Sequence, residues 1–432
     1  MEAEIQNKKD KKSNGNSVKK KIFLGLLSLI ILFMSFKYKK IFYFLLIIIS
    51  IIILIIFRTK KNSKEKSIKA GYEEQWNDLY GEKITNIPYY KNDIIVNSFK
   101  KGGDNYNEKI GNINNGLDYK KNDRNYYNIF IPYSSLKRKS KYNGIILFIH
   151  GGAWIGGEKE NIEYLCIRYT KCGYITAEMS HTLLLPKYVD NNIFRILDDI
   201  SSCIQNIKEE LVNKGFEEDK LELAIGGFSS GAHIALLYGY SIKNIPIPLK
   251  FLIDFVGPVT LEPKYWYKVK GEKYLLDNIT SEEIDKAIKE EKFDKVFEDE
   301  ILVGFMNAFL GKKYSDEELK EMLENKKLKE DNEKYKDLLN IVKYAFPTTY
   351  INNKSVPTLC QYGGYDYIIG VCHYSLLEQL SKKFGNKLVH VYMKNAGHDL
   401  ISVDNENGLY AMREMHYQIL KFAKTYFTNS EF

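Results

Sequence analysis

Only 9 prolines, 5 cysteines and 7 histidines occur in 432 residues. The cysteines, Cys166, Cys172, Cys203, Cys360 and Cys372, are odd in number and form no C-x-x-C pair. They read as reduced thiols of a core rather than a disulfide framework or a zinc ribbon, with a disulfide left open for a lumenal domain. The histidines have no metal-ligand spacing, so no metal or other cofactor is expected. Helix-turn-helix, zinc-finger and RNA-binding signatures are missing too. The net charge of +8 therefore does not point to nucleic acid, and much of the excess lies in the first 69 residues. The scarcity of proline, beside heavy use of Lys, Asn, Ile and Tyr, reads as an A/T-rich codon bias rather than as function.

No apolar run reaches the roughly 20 residues that a membrane span usually takes. Two shorter ones stand near the start, residues 22–36 and 41–57, separated by Lys37-Tyr38-Lys39-Lys40. As one unbroken helix the pair would overrun a bilayer core of about 30 Å. Either the two form a hairpin, or the second spans while the first lies in the interface. The hairpin leaves the flanking Lys19, Lys20, Lys21, Arg58, Lys60 and Lys61 on the cytosolic side, as the positive-inside tendency favours. Membrane anchoring is expected in both cases, in the endoplasmic reticulum or another endomembrane. The boundaries are a disordered basic tail at 1–21, an anchor at 22–57, a charged linker at 58–105 and one large domain at 106–432.

Within that domain, strand and helix patterns alternate. Apolar runs at 145–149, 174–179, 221–225, 251–256, 356–362 and 388–393 read as buried strands. Ile193, Ile196, Leu197, Ile200, Ile204, Ile207 and Leu211 recur at three- and four-residue spacing, which makes one helix face. The alternation predicts an α/β fold, a mostly parallel sheet with helices on both faces. Residues 262–345 break the pattern. They are charged and helical in period, with Trp266, Phe297, Met306, Phe309 and Leu310 as apolar islands, and they read as a helical cap inserted between two core strands.

The chemistry centres on Gly227-Phe228-Ser229-Ser230-Gly231. An apolar strand precedes it and a helix pattern follows. Glycines on both sides allow the sharp strand-to-helix turn that pushes a serine hydroxyl into a cleft. A serine needs a base to take its proton. His398, in Asn395-Ala396-Gly397-His398, follows the last strand, and Asp366, in Tyr362-Gly363-Gly364-Tyr365-Asp366, follows the strand before it. Asp404 is the nearest competing carboxylate. Upstream, His150-Gly151-Gly152-Ala153-Trp154 ends another strand, and the N–H groups of Gly151, Gly152 and Ser230 are candidate donors to an oxyanion. Ala153, Trp154 and His181 are candidate pocket residues, Trp154 with simple packing as its alternative and His181 with plain burial as its own. His150 and His233 read as structural.

Together these motifs resemble the α/β-hydrolase superfamily over about residues 127–427. Within it the resemblance is to carboxylesterases of the hormone-sensitive-lipase and arylacetamide-deacetylase type and to ferulic-esterase-like hydrolases. The glycine loop, serine, aspartate and histidine come in that family's order. The resemblance implies a Ser229–His398–Asp366 triad and a small or medium apolar ester or acetylated compound as substrate. A lipase, or an inactive member that only binds a small molecule, are the alternatives. The chain departs from the pattern at Ala153, where a third glycine is usual, and at His181, where relatives often carry a Tyr-Arg pair.

Overall fold

The computed structural model describes residues 75–90, 94–96, 118–188, 191–269, 293–325, 327–364, 366, 368–393, 396–400 and 405–428. The chain divides into two units, 1–66 and 67–432, and the described residues belong to the second. No helix among them is long and apolar enough to cross a membrane. The two apolar runs expected to anchor the chain, and Asp404, lie outside the described residues.

Eight strands form one sheet: β1 (Gly81–Pro88), β2 (Tyr126–Pro132), β3 (Asn143–Ile149), β4 (Ile175–Met179), β5 (Leu221–Phe228), β6 (Leu249–Phe255), β7 (Thr358–Gly363) and β8 (Leu388–Met393), in the order β1-β2-β4-β3-β5-β6-β7-β8. From β4 to β8 neighbours run parallel, while β1 pairs with β2 and β2 with β4 antiparallel. The central strands are buried along nearly their whole length because helices cover both faces. The chain steps from β3 to β4 and then doubles back to β5. Right-handed crossovers therefore put α1 (Glu163–Lys171) and α2 (Ile193–Asn213) on opposite faces. On one face α1 meets the closing helix α8 (Asn405–Tyr426), Tyr169 Oη lying 2.6 Å from His416 Nδ1. On the other, α2 meets α3 (Ser230–Ser241), Ser201 Oγ lying 3.0 Å from Tyr238 Oη. Between come α4 (Asp299–Phe309), α5 (Asp316–Glu321), α6 (Glu333–Val342) and α7 (Val371–Phe384).

Strand β1 lies inside the stretch expected to be a linker, which corrects that boundary. Its sequence Gly-Glu-Lys-Ile-Thr-Asn-Ile-Pro offers two isoleucines and no buried alternation. It is an edge strand paired through its main chain to β2, with Ile84 and Ile87 only half-buried against the core. The 262–345 insertion is also less purely helical than its period suggests. Tyr267–Val269 pairs with Phe293–Lys295, and Leu323–Glu324 with Lys327–Leu328, beside the helices α4 to α6. Its apolar islands are what it packs with: Trp266, Met306 and Phe309 are buried. All five cysteines are free thiols.

Register brings the loops of interest to one edge. Ile149 pairs with Gly227 and Met179, Phe228 with Phe255, and Gly363 with Met393. The segments leaving β3, β4, β5, β7 and β8 therefore emerge side by side at the carboxyl end of the sheet. The loop after β4 is tied down by a charged pair inside α2. Arg195 and Asp199, both buried, meet at 3.1 Å. Asp199 Oδ2 accepts from Thr182 N at 2.7 Å, and Oδ1 accepts from Tyr90 Oη at 2.8 Å. Removing one partner of a buried pair strands the other charge. Asp199→Ala should lower the unfolding free energy by about 3–5 kcal/mol, read from urea denaturation.

Candidate active site

Strand β5 runs straight into α3 with a single residue, Ser229, at the corner. Its backbone has φ 55° and ψ −120°, a conformation that costs a non-glycine residue about 1–3 kcal/mol. Both neighbouring peptides hold it there. Ser229 N donates to Phe255 O at 2.8 Å, and His233 N donates to Ser229 O at 3.1 Å. The two flanking glycines are required by space. A Cβ on Gly227 would come within 2.3 Å of the Gly231 carbonyl, and one on Gly231 within 2.3 Å of Ile149 O. Strand, corner and helix can close on one another only without those side chains.

The corner presents its hydroxyl to a histidine. Ser229 Oγ lies 2.9 Å from His398 Nε2, and His398 Nδ1 lies 2.8 Å from Asp366 Oδ2. Asp366 Oδ1 accepts from the N–H groups of Ile368 and Ile369, each at 2.8 Å. The carboxylate takes the Nδ1 proton as a third hydrogen bond, which leaves Nε2 with its lone pair facing the serine. The Asp366 side chain is fully covered, while that of His398 is about one-fifth exposed. Phe228 packs its ring against the imidazole, 5.7 Å between centroids. Gly363 allows the acid and histidine loops to touch, since a Cβ there would lie 2.3 Å from Ala396 O. The structure thus brings together Ser229, His398 and Asp366, which are far apart in the chain.

The loop after β3 completes the site. Gly151 sits against the corner: a Cβ on it would be 2.7 Å from Phe228 O and 3.2 Å from Ser229 Cβ. Gly152, Ala153 and Trp154 all have positive φ, at 128°, 50° and 61°. Gly152 and Ala153 are exposed, and among the described residues no protein acceptor meets their N–H groups. Ser230 opens α3, so its N–H belongs to the positive end of a helix. Such an arrangement suits an anionic oxygen beside Ser229.

Two of the expected pocket residues are elsewhere. Trp154 is buried, donating from Nε1 to His233 Nδ1 at 3.2 Å, with its ring edge-on to Phe305 and Phe309 of α4. His233 Nε2 donates in turn to Ala345 O at 3.0 Å, and burial pushes this imidazole down to about 3. Trp154 therefore couples the loop, α3 and the inserted helices rather than lining an open wall. His181 is wholly buried and stacks on His150 with 4.4 Å between centroids and 10° between planes. It backs the loop from behind. Ala153 alone of the three is accessible. Reading the sequence missed Arg124, which touches His150, Gly157 and His181. No motif marks it, because it lies in a turn before β2.

The BD-FAE family model matches residues 129–380, more than half of the chain. None of the curated proteins matches it in sequence. Among solved structures it is similar to a truncated carbohydrate esterase from gut microbiota, with 13% identity and a TM-score of 0.50 over 82% of this chain and 100% of that one. It is similar also to esterase B of Lactobacillus rhamnosis HN001, with 12% identity and a TM-score of 0.50 over 87% of this chain and 94% of that one. At these identities the likeness to the two structures speaks for the fold.

Behind the corner, a buried carboxyl ties β6 to β7. Tyr362 Oη is 2.8 Å from Asp254 Oδ2 and 2.6 Å from Gly257 O, and Gly257 N donates to Asp254 Oδ1 at 2.7 Å. The phenol has one proton and two acceptors. A proton on Oδ2 satisfies every atom: carboxyl to phenol, phenol to Gly257 O, Gly257 N–H back to Oδ1. Burial accordingly pushes Asp254 up to about 7 from the ordinary 3.8. Between those values the folded chain holds a proton that the unfolded chain has lost, so stability falls as the pH rises through that window. Asparagine reproduces the donor and acceptor pattern without a titrating proton. Asp254→Asn should flatten the decline between about pH 4 and pH 7 in urea-unfolding free energies measured across that range.

Proposed function

Because the chain belongs to the BD-FAE family of esterase-type α/β-hydrolases, we propose that it hydrolyses carboxylic esters with Ser229 as nucleophile. The observation that carries this reading is the unbroken line from Asp366 Oδ2 through the His398 ring to Ser229 Oγ, with contacts of 2.8 and 2.9 Å. His398 takes the hydroxyl proton through Nε2 as Ser229 attacks the ester carbonyl, then returns it to the leaving alcohol. Asp366 holds the ring tautomer and stabilises the imidazolium. Negative charge gathers on the carbonyl oxygen, where the N–H groups of Gly151, Gly152 and Ser230 receive it. One such donor is worth about 3 kcal/mol, a hundredfold or more in rate. Water then repeats the sequence on the acyl-enzyme, with His398 again as base.

The proposed substrates are small or medium apolar esters or acetylated compounds. Apolar side chains stand exposed near the triad: Ile368 follows Asp366 by two residues, and Ile155 sits on the glycine loop. The apolar runs 22–36 and 41–57 would tether the enzyme to an endomembrane, where such compounds partition. Ser229→Ala should lower turnover of short-chain p-nitrophenyl esters by at least about 10⁴-fold. His398→Ala should cost about as much, and the double variant little more, since the two act as a unit. Full turnover in Ser229→Ala would remove the serine from the reaction.

A further inference from the structure

We propose that Arg124 is a positioning residue for the glycine loop: acting through His150, it sets the direction of the Gly152 N–H. The proposal rests on the esterase reading above, in which that N–H receives the oxyanion.

Proton positions decide which atoms donate along this relay. A guanidinium only donates. Arg124 Nη2 lies 3.3 Å from His150 Nε2, so Nε2 is the acceptor. Burial holds the imidazole well below its usual pKa, so the ring is neutral and its one proton is on Nδ1. That nitrogen lies 2.8 Å from Gly151 O and donates to it. In a trans peptide the carbonyl and the following N–H point to opposite sides of the chain. Fixing Gly151 O behind the loop therefore turns the Gly152 N–H the other way. With the opposite tautomer, a bare Nδ1 would face a bare carbonyl and the clamp would be lost.

The same guanidinium closes the far end of the loop. Arg124 Nη2 also donates to Gly157 O, and Nε donates to His181 O at 3.4 Å. Gly157 is packed so closely that a Cβ would be 2.1 Å from Gly151 O and 2.5 Å from His150 Nδ1. His181 fixes the plane of the His150 ring by stacking on it. Three successive residues of positive φ, two of them not glycine, lie between these anchors. Such a loop keeps its shape only when its surroundings over-determine it. Lysine could not replace the planar fork, which reaches His150, Gly157 and His181 at once.

Arg124 lines a cavity of about 380 Å³ with Asp123, Tyr126, Glu158, Lys159 and Ser180 among its neighbours. That opening admits a chemical test. In the full-length chain in detergent, Arg124→Ala should lower kcat for a p-nitrophenyl ester about ten- to hundredfold with KM little changed. Millimolar guanidinium should restore part of the rate in Arg124→Ala and leave the wild type unaffected. Arg124→Lys, whose retained charge favours folding, should show the same loss without rescue. A kcat within about twofold of wild type in either variant, or a loss in Arg124→Ala that guanidinium leaves untouched, overturns the proposal. Histidine ¹⁵N NMR reads the tautomer independently of turnover. His150 should carry its proton on Nδ1 in the wild type and exchange between tautomers in Arg124→Ala. An unchanged single tautomer in that variant overturns the proposal. A wild type without Ser229-dependent turnover contradicts the esterase reading instead, and the NMR result then decides the role of Arg124.

Discussion

The unfavourable backbone of one residue organises this site. Ser229 sits at φ 55° because β5 ends and α3 begins on either side of it, with no room for a relaxed turn. Its N–H is taken by Phe255 O of β6, and its carbonyl by His233 N of α3. The hydroxyl is thereby lifted out of the sheet edge, where a histidine from another loop can reach it. The close approaches of Gly227 and Gly231 to their neighbours are consequences of that corner, and so is the contact of Gly151 with it. A serine in an ordinary turn would keep its chemistry and lose its position.

Around the corner, histidines do two different jobs, and burial separates them. His398 is partly exposed and lies between a carboxylate and the Ser229 hydroxyl, where the proposed reaction needs a base. His150, His181 and His233 are buried, and each has its pKa lowered chiefly by desolvation. They remain neutral and act as rigid donors and acceptors. Two relays therefore converge on one place. One runs from carboxylate through imidazole to the serine oxygen. The other runs from guanidinium through imidazole to a peptide plane. In the proposed reaction the first would gain and lose charge, while the second would stay unchanged.

The residues with a local signature were legible in the sequence. Ser229, His398 and Asp366 each follow an apolar strand, and strand ends in a parallel sheet share an edge, so their convergence could be expected before any coordinates. Strands β3 to β8 could be expected for the same reason, being apolar runs. Strand β1 could not, since an edge strand held by main-chain bonds needs no apolar pattern. Trp154 and His181 showed the limits of reading by adjacency. Trp154 follows the glycine loop and His181 follows a strand ending at the same edge, yet both turn inward, Trp154 towards the inserted helices and His181 against His150. Arg124 carries no pattern at all, because its role depends on three contacts from separate segments, and only the assembled fold brings them within reach.

The central claim is that Ser229 is an activated nucleophile, and covalent capture tests it most directly. The full-length protein would be treated with a fluorophosphonate, digested, and its peptides mapped by mass spectrometry. The account predicts one adduct, on the peptide carrying Ser229, suppressed when an ester substrate competes. Unmodified Ser229 in folded protein, or an adduct confined to another residue, would contradict it.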